Sequence, residues 1–234
     1  MLRILVIGLF WLTTGIGTAR ADSIIVDGAE RNYLQFSAPK PSAIIIAYHG
    51  TLGTARSMAR LTGLHLRGVP AIVIYPQGNM WTWDVSARSK DVRFTQALID
   101  RARSIYGNLP VDVTGISAGG SMAWRAAQEL DIDHAVSVAG DCTNPERLVF
   151  SRTRKHAPDL LQLHGDADHI APLAGGTAPF GARLPPVRSC INAFNAAGGT
   201  ATLRVIPGGK HAWDLGVGYS TTDEILRFFG LSPK

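Results

Sequence analysis

Charged residues are scarce in this chain, and they form no long run. Of the 234 residues, 18% are charged, and the formal net charge is +5. No segment combines clustered lysine or arginine with interleaved aromatic residues, so we expect no nucleic-acid partner. The sequence also lacks the glycine-rich loop ending in Gly-Lys-Ser/Thr that holds phosphates in nucleotide-binding proteins. Its His, Cys, Asp and Glu residues show no metal-ligand spacing, so we expect neither a metal nor another cofactor.

Long apolar runs are also missing, with one short exception near the N-terminus. Residues 4–12 are apolar and follow Arg3, and small residues occur at 19 and 21. A positive start, a short apolar run and small residues before a cleavage point are typical of a secretory signal peptide. We therefore expect cleavage after Ala21 and a secreted or periplasmic protein without a membrane span, because nine residues are too few to cross a bilayer as a helix. The alternative is a buried N-terminal helix.

Cysteine is the next residue type in short supply. The chain has two cysteines, Cys142 and Cys190. In an exported protein an even number of cysteines permits disulfide bonds, so we expect these two to form one bridge. Two free, buried thiols are the alternative.

The rest of the chain shows no internal repeat, low-complexity tract or long polar linker, so we expect residues 22–234 to form a single domain. Apolar runs that suit strands covered on both faces alternate with segments of helical pattern. Six such runs lie at 42–50, 69–78, 109–115, 134–140, 159–165 and 201–209. A hairpin is predicted to precede them, turning at Asp27 and Gly28.

Helical patterns fill the spaces between these runs. In 89–107 the apolar residues Phe94, Leu98, Ala102 and Ile105 share one helix face. Further helices are predicted at 117–130 and 220–230, and another helix is predicted to start in 185–194, the segment that contains Cys190. Strands that alternate with helices predict an α/β fold with a mostly parallel central sheet and helices on both faces. Functional loops of such a sheet gather beyond the carboxyl ends of its strands.

One of these loops holds a serine between two glycines. Gly115, Ser117 and Gly119 form a G-x-S-x-G pattern that follows a predicted strand and opens a predicted helix. In that context the turn lifts the serine above the sheet as a nucleophile. The alternative is a glycine-rich turn with an incidental serine.

A serine nucleophile needs a base and an acid, which follow it in the chain on this architecture. Asp166 and Asp168 lie in the loop after 159–165, and His211 lies in the loop after 201–209. We predict that His211 is the base, with His164 and His169 as the alternatives. We predict that Asp168 is the acid and that Asp166 fixes the turn.

Two backbone N–H groups are needed to bind the oxyanion of such a reaction. One donor is expected at Ala118, directly after the serine, and the other at Thr51, in the loop after an early strand. Gly50 lets that loop approach the substrate, and we expect His49 to order the loop.

Three tryptophans stand in the same predicted loops. Trp81 and Trp83 follow one strand, and Trp213 follows His211 by two residues. Aromatic faces suit sugar rings, aryl acids or apolar acyl chains, so we predict a substrate-binding role for all three. The alternative is that they pack the loops themselves.

Taken together, these segments resemble a known family. The matching motifs are HGTLG, VIYPQG, DVRFTQALID, VTGISAGGSMAWRAA, AVSVAG, LQLHGDADHIAPLAGG, GGKHAW and TDEILRFF. They resemble the polyhydroxybutyrate depolymerase-like esterases, which merge with the feruloyl and acetylxylan esterases of carbohydrate esterase family one. The similarity runs from about residue 33 to residue 230. It implies an α/β-hydrolase fold with Ser117, Asp168 and His211 as the triad and Thr51 and Ala118 as the oxyanion donors.

The resemblance also implies a chemistry. We expect a secreted serine esterase that acts through an acyl-enzyme on hydroxycinnamoyl or acetyl esters of plant polysaccharide, or on short hydroxyalkanoate oligomers. The segment 141–158 is short, and the sequence ends at Lys234, soon after the last predicted helix. We therefore expect a minimal lid or none, no appended polymer-binding domain, and a small open site. The alternatives are a serine peptidase on the same fold and a non-catalytic binding protein that retains the scaffold.

Overall fold

The computed structural model describes residues 18–147, 150, 158–179 and 181–231. Its strands are β1 (Thr18–Val26), β2 (Ala29–Ser37), β3 (Ala43–Tyr48), β4 (Ala71–Pro76), β5 (Val111–Ile116), β6 (His134–Val138), β7 (Asp159–Gly165), β8 (Gly176–Thr177), β9 (Arg183–Leu184) and β10 (Thr200–Ile206). Its helices are α1 (Ala55–Thr62), α2 (Lys90–Tyr106), α3 (Ala118–Glu129), α4 (Val187–Ala196) and α5 (Thr221–Phe228).

Eight of these strands form one central sheet, in the order β1-β2-β4-β3-β5-β6-β7-β10. The neighbours from β4 to β10 pair in parallel, and β1 and β2 join one edge in antiparallel pairing. The predicted mostly parallel sheet is confirmed. The leading hairpin turns at Asp27 and Gly28, both with positive φ, as the two-residue turns that suit the twist of a hairpin require.

Only the last four residues of the predicted signal peptide, 18–21, are among the described residues. Residues 1–17 lie outside the described residues, and residues 18–21 belong to β1. Cleavage after Ala21 would leave Asp22 to Val26 paired with β2, from the Asp22–Tyr33 pair to the Val26–Ala29 pair.

Helices cover both faces of the sheet, as the apolar runs predict. Alternate side chains of β3 point to opposite faces. Ile44, Ile46 and Tyr48 belong to the core that contains the buried side chains of α2, α3 and α4. Ala43, Ile45 and Ala47 belong to the core with those of α1 and α5. Each fully buried isoleucine contributes roughly 1.5–3 kcal/mol to folding, so these central strands hold the sheet together.

Two helical details differ from the sequence pattern. Ile105, which the pattern places on the buried face of α2, is 58% exposed. The buried side of α2 ends at Ala102, so the last turn lies beyond the packed core. The pattern also does not predict α1, whose buried face is short and whose start is fixed locally by a reciprocal hydrogen-bonded cap between Thr54 and Ser57.

A disulfide ties the loop after β6 to helix α4. It joins Cys142 and Cys190, whose Cα atoms are 5.5 Å apart. Both cysteines are buried in the core that also holds Trp124 and Phe194. The bridge therefore fastens a helix to the carboxyl edge of the sheet, on the side of α3.

We expect loss of this bridge to cost stability. The cysteines are 48 positions apart, and loop-entropy arguments assign about 4 kcal/mol to a bridge that closes a loop of this size. The Cys142→Ala/Cys190→Ala variant should lose about that much free energy of unfolding in a urea titration. The wild type unfolded in the presence of a reducing agent is the control and should match the variant. Two free thiols in the denatured, unreduced wild type would contradict the bridge.

Candidate active site

Ser117 stands on a sharp turn between β5 and α3. Its backbone has φ 56° and ψ −123°, a left-handed conformation that is strained for a residue with a side chain. The two flanking glycines make the turn possible. A Cβ at Gly115 would lie 2.3 Å from the carbonyl oxygen of Gly119, and a Cβ at Gly119 would lie 2.2 Å from that of Tyr48. A side chain at either position would collide with these backbone atoms, so glycine is needed at both. The half-buried Ser117 lines a cavity.

That cavity has a volume of about 430 Å³ and lies at the carboxyl edge of the sheet. Ser117, His211 and Thr51 line it, together with Gly50 and with apolar side chains from α1 and the neighbouring loops. Three residues that the sequence assigns to one site thus share one cavity, although they come from three separate loops.

Asp168 holds the imidazole of His211. Its Oδ2 lies 2.7 Å from His211 Nδ1, and its Oδ1 accepts hydrogen bonds from the amides of Ile170 (2.9 Å) and Ala171 (2.8 Å). The Asp168 side chain is fully buried, and that of His211 is 13% exposed. Burial by itself raises the pKa of Asp168, but the hydrogen bonds from His211 and the two amides outweigh it, and the pKa is lowered. The carboxylate is therefore ionised at neutral pH.

Asp166 has a different place, as the sequence predicts. It is exposed, and its Oδ1 accepts a hydrogen bond of 2.6 Å from the amide of Gly208. The amide of Ala167 donates to the carbonyl of Gly209 at 3.0 Å. These bonds join the loop that carries Asp168 to the loop that carries His211.

The two alternative bases lie away from Ser117. His169 is exposed and does not line the cavity. His164 is buried beneath Asp168, where its Nε2–H donates to the carbonyl of Ala171 at 2.7 Å and lies 3.6 Å from Asp168 Oδ2. Burial lowers the pKa of His164 and keeps the ring neutral.

A buried polar network continues from His164 into the core, and the sequence does not predict it. Gln162 Nε2 lies 3.1 Å from both His164 Nδ1 and the carbonyl of Gly140. Its Oε1 accepts a hydrogen bond of 2.8 Å from Trp124 Nε1. The signal in the sequence is the pair Gln162 and His164 inside an otherwise apolar strand. Because buried polar groups need partners, these contacts fix the ring of His164 and, through Ala171, the carboxylate of Asp168.

The loop after β3 is held by the ring of His49. The carbonyl of Gly50 accepts hydrogen bonds from His49 Nδ1–H at 2.8 Å and from the amide of Gly53 at 2.9 Å. On the other side of the ring, His49 Nε2 accepts a hydrogen bond from the amide of Gly78 at 3.0 Å. Burial lowers the pKa of His49, so the ring is neutral and has one donor and one acceptor. Since the C=O and N–H of a trans peptide point in opposite directions, these bonds turn the Thr51 N–H away from His49.

A second loop supports this one from outside. The amide of Leu52 donates to the carbonyl of Trp81 at 2.8 Å, and both residues have positive φ. The loop after β3 also runs close to the turn at Ser117, because a Cβ on Gly50 would lie 3.5 Å from Ser117 Cβ. Ala118 is the first residue of α3, where helix N–H groups have no partner inside the helix. The two predicted donors are thus placed in the loop that approaches Ser117 (Thr51) and at the residue that follows it (Ala118).

Two of the three tryptophans, Trp83 and Trp213, require a correction. Trp83 is 6% exposed and donates to the carbonyl of His49 at 2.7 Å, and Trp213 is 2% exposed and donates to Thr222 Oγ1 at 3.0 Å. Neither lines the cavity, so both pack the loops instead of presenting an aromatic face to a substrate. Trp81 is 57% exposed but also does not line the cavity, and its carbonyl holds Leu52.

The structure describes the segment of the predicted minimal lid only in part. The segment 141–158, which predicts a minimal lid, includes residues 148, 149 and 151–157, which lie outside the described residues. Across the part of the chain that the structure describes, no three His, Cys, Asp or Glu side chains are grouped to hold a metal ion. In the same part, no helix has the length and apolar character needed to cross a membrane.

Comparisons with known proteins find similar structures and no similar sequences. No protein-family model matches the chain, and no curated protein sequence matches it. The crystal structure of esterase PE8 matches with a TM-score of 0.60 and 17% identity, over 84% of this chain and 96% of that one. A putative dienelactone hydrolase from Klebsiella pneumoniae matches with a TM-score of 0.63 and 18% identity, over 91% and 98% of the two chains.

A third similar structure belongs to a longer protein. Acylaminoacyl peptidase from Pyrococcus horikoshii matches with a TM-score of 0.61 and 12% identity, over 92% of this chain and 40% of that one. At these identities the likeness concerns the fold. With the eight-stranded, mostly parallel sheet and the helices on both of its faces, these matches show that the chain has the α/β-hydrolase fold.

Proposed function

We propose that this protein is a serine esterase that hydrolyses carboxylic esters through an acyl-enzyme. The observation that carries the proposal is the arrangement of three side chains. Ser117 and His211 line one cavity, and His211 is hydrogen-bonded to the buried, ionised Asp168. A serine hydroxyl becomes a nucleophile only when a base takes its proton, and this arrangement supplies that base together with a group that orients it.

The first half of the reaction forms the acyl-enzyme. Because Asp168 accepts the hydrogen bond from His211 Nδ1–H, the other ring nitrogen, Nε2, is left to take the proton of Ser117 as its oxygen attacks the ester carbonyl. The negative charge that develops on the carbonyl oxygen is bound by the N–H groups of Thr51 and Ala118. His211 then gives its proton to the leaving alcohol, and the ester C–O bond breaks.

The second half releases the acid. A water molecule gives a proton to His211 and attacks the acyl carbonyl, and the same two amides bind the second oxyanion. His211 returns the proton to Ser117 as the carboxylic acid leaves. Asp168 stays ionised throughout and stabilises the imidazolium in both halves, which its lowered pKa supports.

The finer assignment is also a proposal. Membership in the polyhydroxybutyrate depolymerase-like and carbohydrate esterase family one group would make the substrate a hydroxycinnamoyl or acetyl ester of plant polysaccharide, or a short hydroxyalkanoate oligomer. It would also place the protein outside the cytoplasm, after removal of residues 1–21. The fold shared with an esterase and a dienelactone hydrolase supports the reaction class.

A serine peptidase is the second candidate. The observation that favours it is the fold shared with the acylaminoacyl peptidase from Pyrococcus horikoshii. The p-nitroanilide of butanoic acid separates the two. A peptidase should cleave this amide in a reaction that depends on Ser117, whereas an esterase should cleave only p-nitrophenyl butanoate.

A fluorophosphonate probe tests the proposed function directly. It forms a covalent bond only with an activated serine, so we expect one label per chain, and peptide mapping should find it on Ser117. The Ser121→Ala variant is the matched control and should be labelled like the wild type, because Ser121 lies one turn into α3 and bonds to Asp141 instead of lining the cavity. A folded protein that takes no label would contradict the esterase proposal and would favour a non-catalytic binding protein.

A further inference from the structure

We propose that one wall of the cavity binds the acyl group of the ester and that it takes an uncharged, unbranched aliphatic chain. The α1 wall, as we name it, consists of Met58 and Leu61 from α1 and Ile116 from the end of β5. The inference rests on the proposed serine esterase activity. It assigns an alkanoyl chain to this site in place of the hydroxycinnamoyl and hydroxyalkanoate groups that the family resemblance suggests.

The α1 wall is apolar and has no hydrogen-bonding group to spare. Met58 is 1% exposed, and Leu61 is 50% exposed at the mouth of the cavity. Ser57 also lines the cavity from α1, but its hydroxyl donates to the carbonyl of Thr54 and accepts from the amide of Thr54, both at 2.8 Å. A charged or hydroxylated acyl group would lose its water there without gaining a partner. The wall therefore favours a hydrocarbon chain.

The rest of the lining does not suit an aromatic acid. Apart from the two imidazoles, no described residue that lines the cavity has an aromatic ring, and Trp81, Trp83 and Trp213 are not among them. Methionine and leucine side chains adapt to a flexible aliphatic chain through dispersion contacts. The cavity volume of about 430 Å³ is within the range of small-molecule sites, so it can hold several methylene groups.

The reaction geometry assigns the acyl chain to this wall. His211 must reach the leaving oxygen to protonate it, so the alcohol lies on the His211 side of the cavity. Ile170 belongs to that side, because its amide bonds to Asp168, which in turn holds His211. The carbonyl oxygen is directed to the loop that carries Thr51 and leads into α1. The acyl chain is then left with the α1 wall, and Ile170, which is 47% exposed, contacts the alcohol.

An acyl series with a constant leaving group tests the assignment. We expect wild-type kcat/KM on p-nitrophenyl esters to rise by about fourfold for each methylene from acetate to butanoate and hexanoate, as burial of a methylene predicts. Leu61→Trp should abolish this rise by filling the mouth of the α1 wall, so that kcat/KM on hexanoate falls to about the value on acetate. Leu66→Trp is the matched control, because it adds the same indole to an exposed leucine outside the cavity, and its series should match the wild type.

An alcohol series separates the two sides of the cavity. With the butanoyl group held constant, methyl and butyl esters are compared in a pH-stat. Ile170→Ala should change the ratio between these alcohols and leave the acyl series unchanged, while Leu61→Trp should do the opposite. If Leu61→Trp alters the alcohol ratio alone, or if the wild type prefers methyl ferulate to methyl hexanoate, the acyl assignment is overturned and the esterase remains. If no ester shows turnover that depends on Ser117, the proposed esterase function itself is contradicted.

Discussion

Replacing Ser117 by alanine is expected to lower kcat on p-nitrophenyl butanoate by about 10⁶-fold, the loss that removal of a serine nucleophile causes in serine hydrolases. The hydroxyl that forms the acyl-enzyme is gone. Ser57 also lines the cavity, but its hydroxyl is bonded to the amide and the carbonyl of Thr54. The remaining rate should be about 10³–10⁴-fold above that in water, because substrate binding and the oxyanion donors still act. Stopped assays at high enzyme concentration measure this residual rate.

The Ser121→Ala variant supplies the control for this measurement. Ser121 is 8% exposed and lies in the same helix, where its Oγ accepts a hydrogen bond from the amide of Asp141 at 3.2 Å. The Oγ also lies 3.4 Å from Asp141 Oδ2 and 3.5 Å from the carbonyl oxygen of Ser117. Its loss should lower stability by roughly 1–3 kcal/mol and leave kcat near the wild-type value. A Ser117→Ala enzyme that keeps near wild-type kcat would remove Ser117 from the mechanism.

The turn at Ser117 could be predicted from the sequence because its constraints are local. At Gly115 and Gly119 a Cβ would lie within 2.3 Å of backbone atoms, so only glycine fits there. The G-x-S-x-G pattern therefore indicates this turn directly. The central strands could be predicted for a related reason. A strand covered on both faces is apolar at every position, as β3 and β4 are, and glycine marks the loops that follow β3, β5 and β7.

The walls of the cavity could not be predicted in the same way. Met58 and Leu61 lie on α1, whose buried positions are mostly alanine and threonine and give little periodic signal. Met58 and Leu61 line the same cavity as Ser117 because α1 packs beside β3 and β4. This packing is tertiary structure, which the local sequence pattern does not show. The tryptophans show the converse case. Trp83 and Trp213 stand in loops near the site, but their indole N–H groups find partners inside the protein, and the rings pack inward.

The roles of the histidines depend on contacts that sequence distance does not show. The position of His211 after the last strand predicts its place, because the order of serine, acid and histidine is a property of the fold. Whether His164 serves the site could not be predicted. It lies four positions before Asp168, and only the structure shows that its N–H bonds to Ala171, whose own amide bonds to the carboxylate.

The second large effect is expected at Asp168. Asp168→Asn should lower kcat by up to about 10⁴-fold, because the asparagine N–H would donate to His211 Nδ1 and hold the imidazole in the wrong tautomer. The substitution keeps the shape of the side chain and an oxygen for the amides of Ile170 and Ala171. The fold should therefore persist, and kcat is compared with the melting temperature on the same preparation.

Asp166→Asn is the matched control, two residues away in the same loop. Asp166 is exposed and bonds to the amide of Gly208, so its replacement should weaken one turn bond by about 1 kcal/mol and leave kcat close to the wild-type value. The reverse pattern, with kcat lost in Asp166→Asn and kept in Asp168→Asn, would make Asp166 the acid.

The pH dependence of stability gives an independent check on Asp168. Its folded pKa is lowered by the hydrogen bonds from His211 and the two amides, below the value of about 3.9 for an unfolded aspartate. The ionised form therefore stabilises the fold above the unfolded pKa, and that stabilisation is lost as the pH falls through the lower folded pKa. Asp168→Asn has no such group, so the free energy of unfolding that separates it from the wild type should shrink on acidification below about pH 4. A stability difference that stays constant from pH 6 to pH 2.5 would contradict the ionised Asp168 on which the mechanism depends.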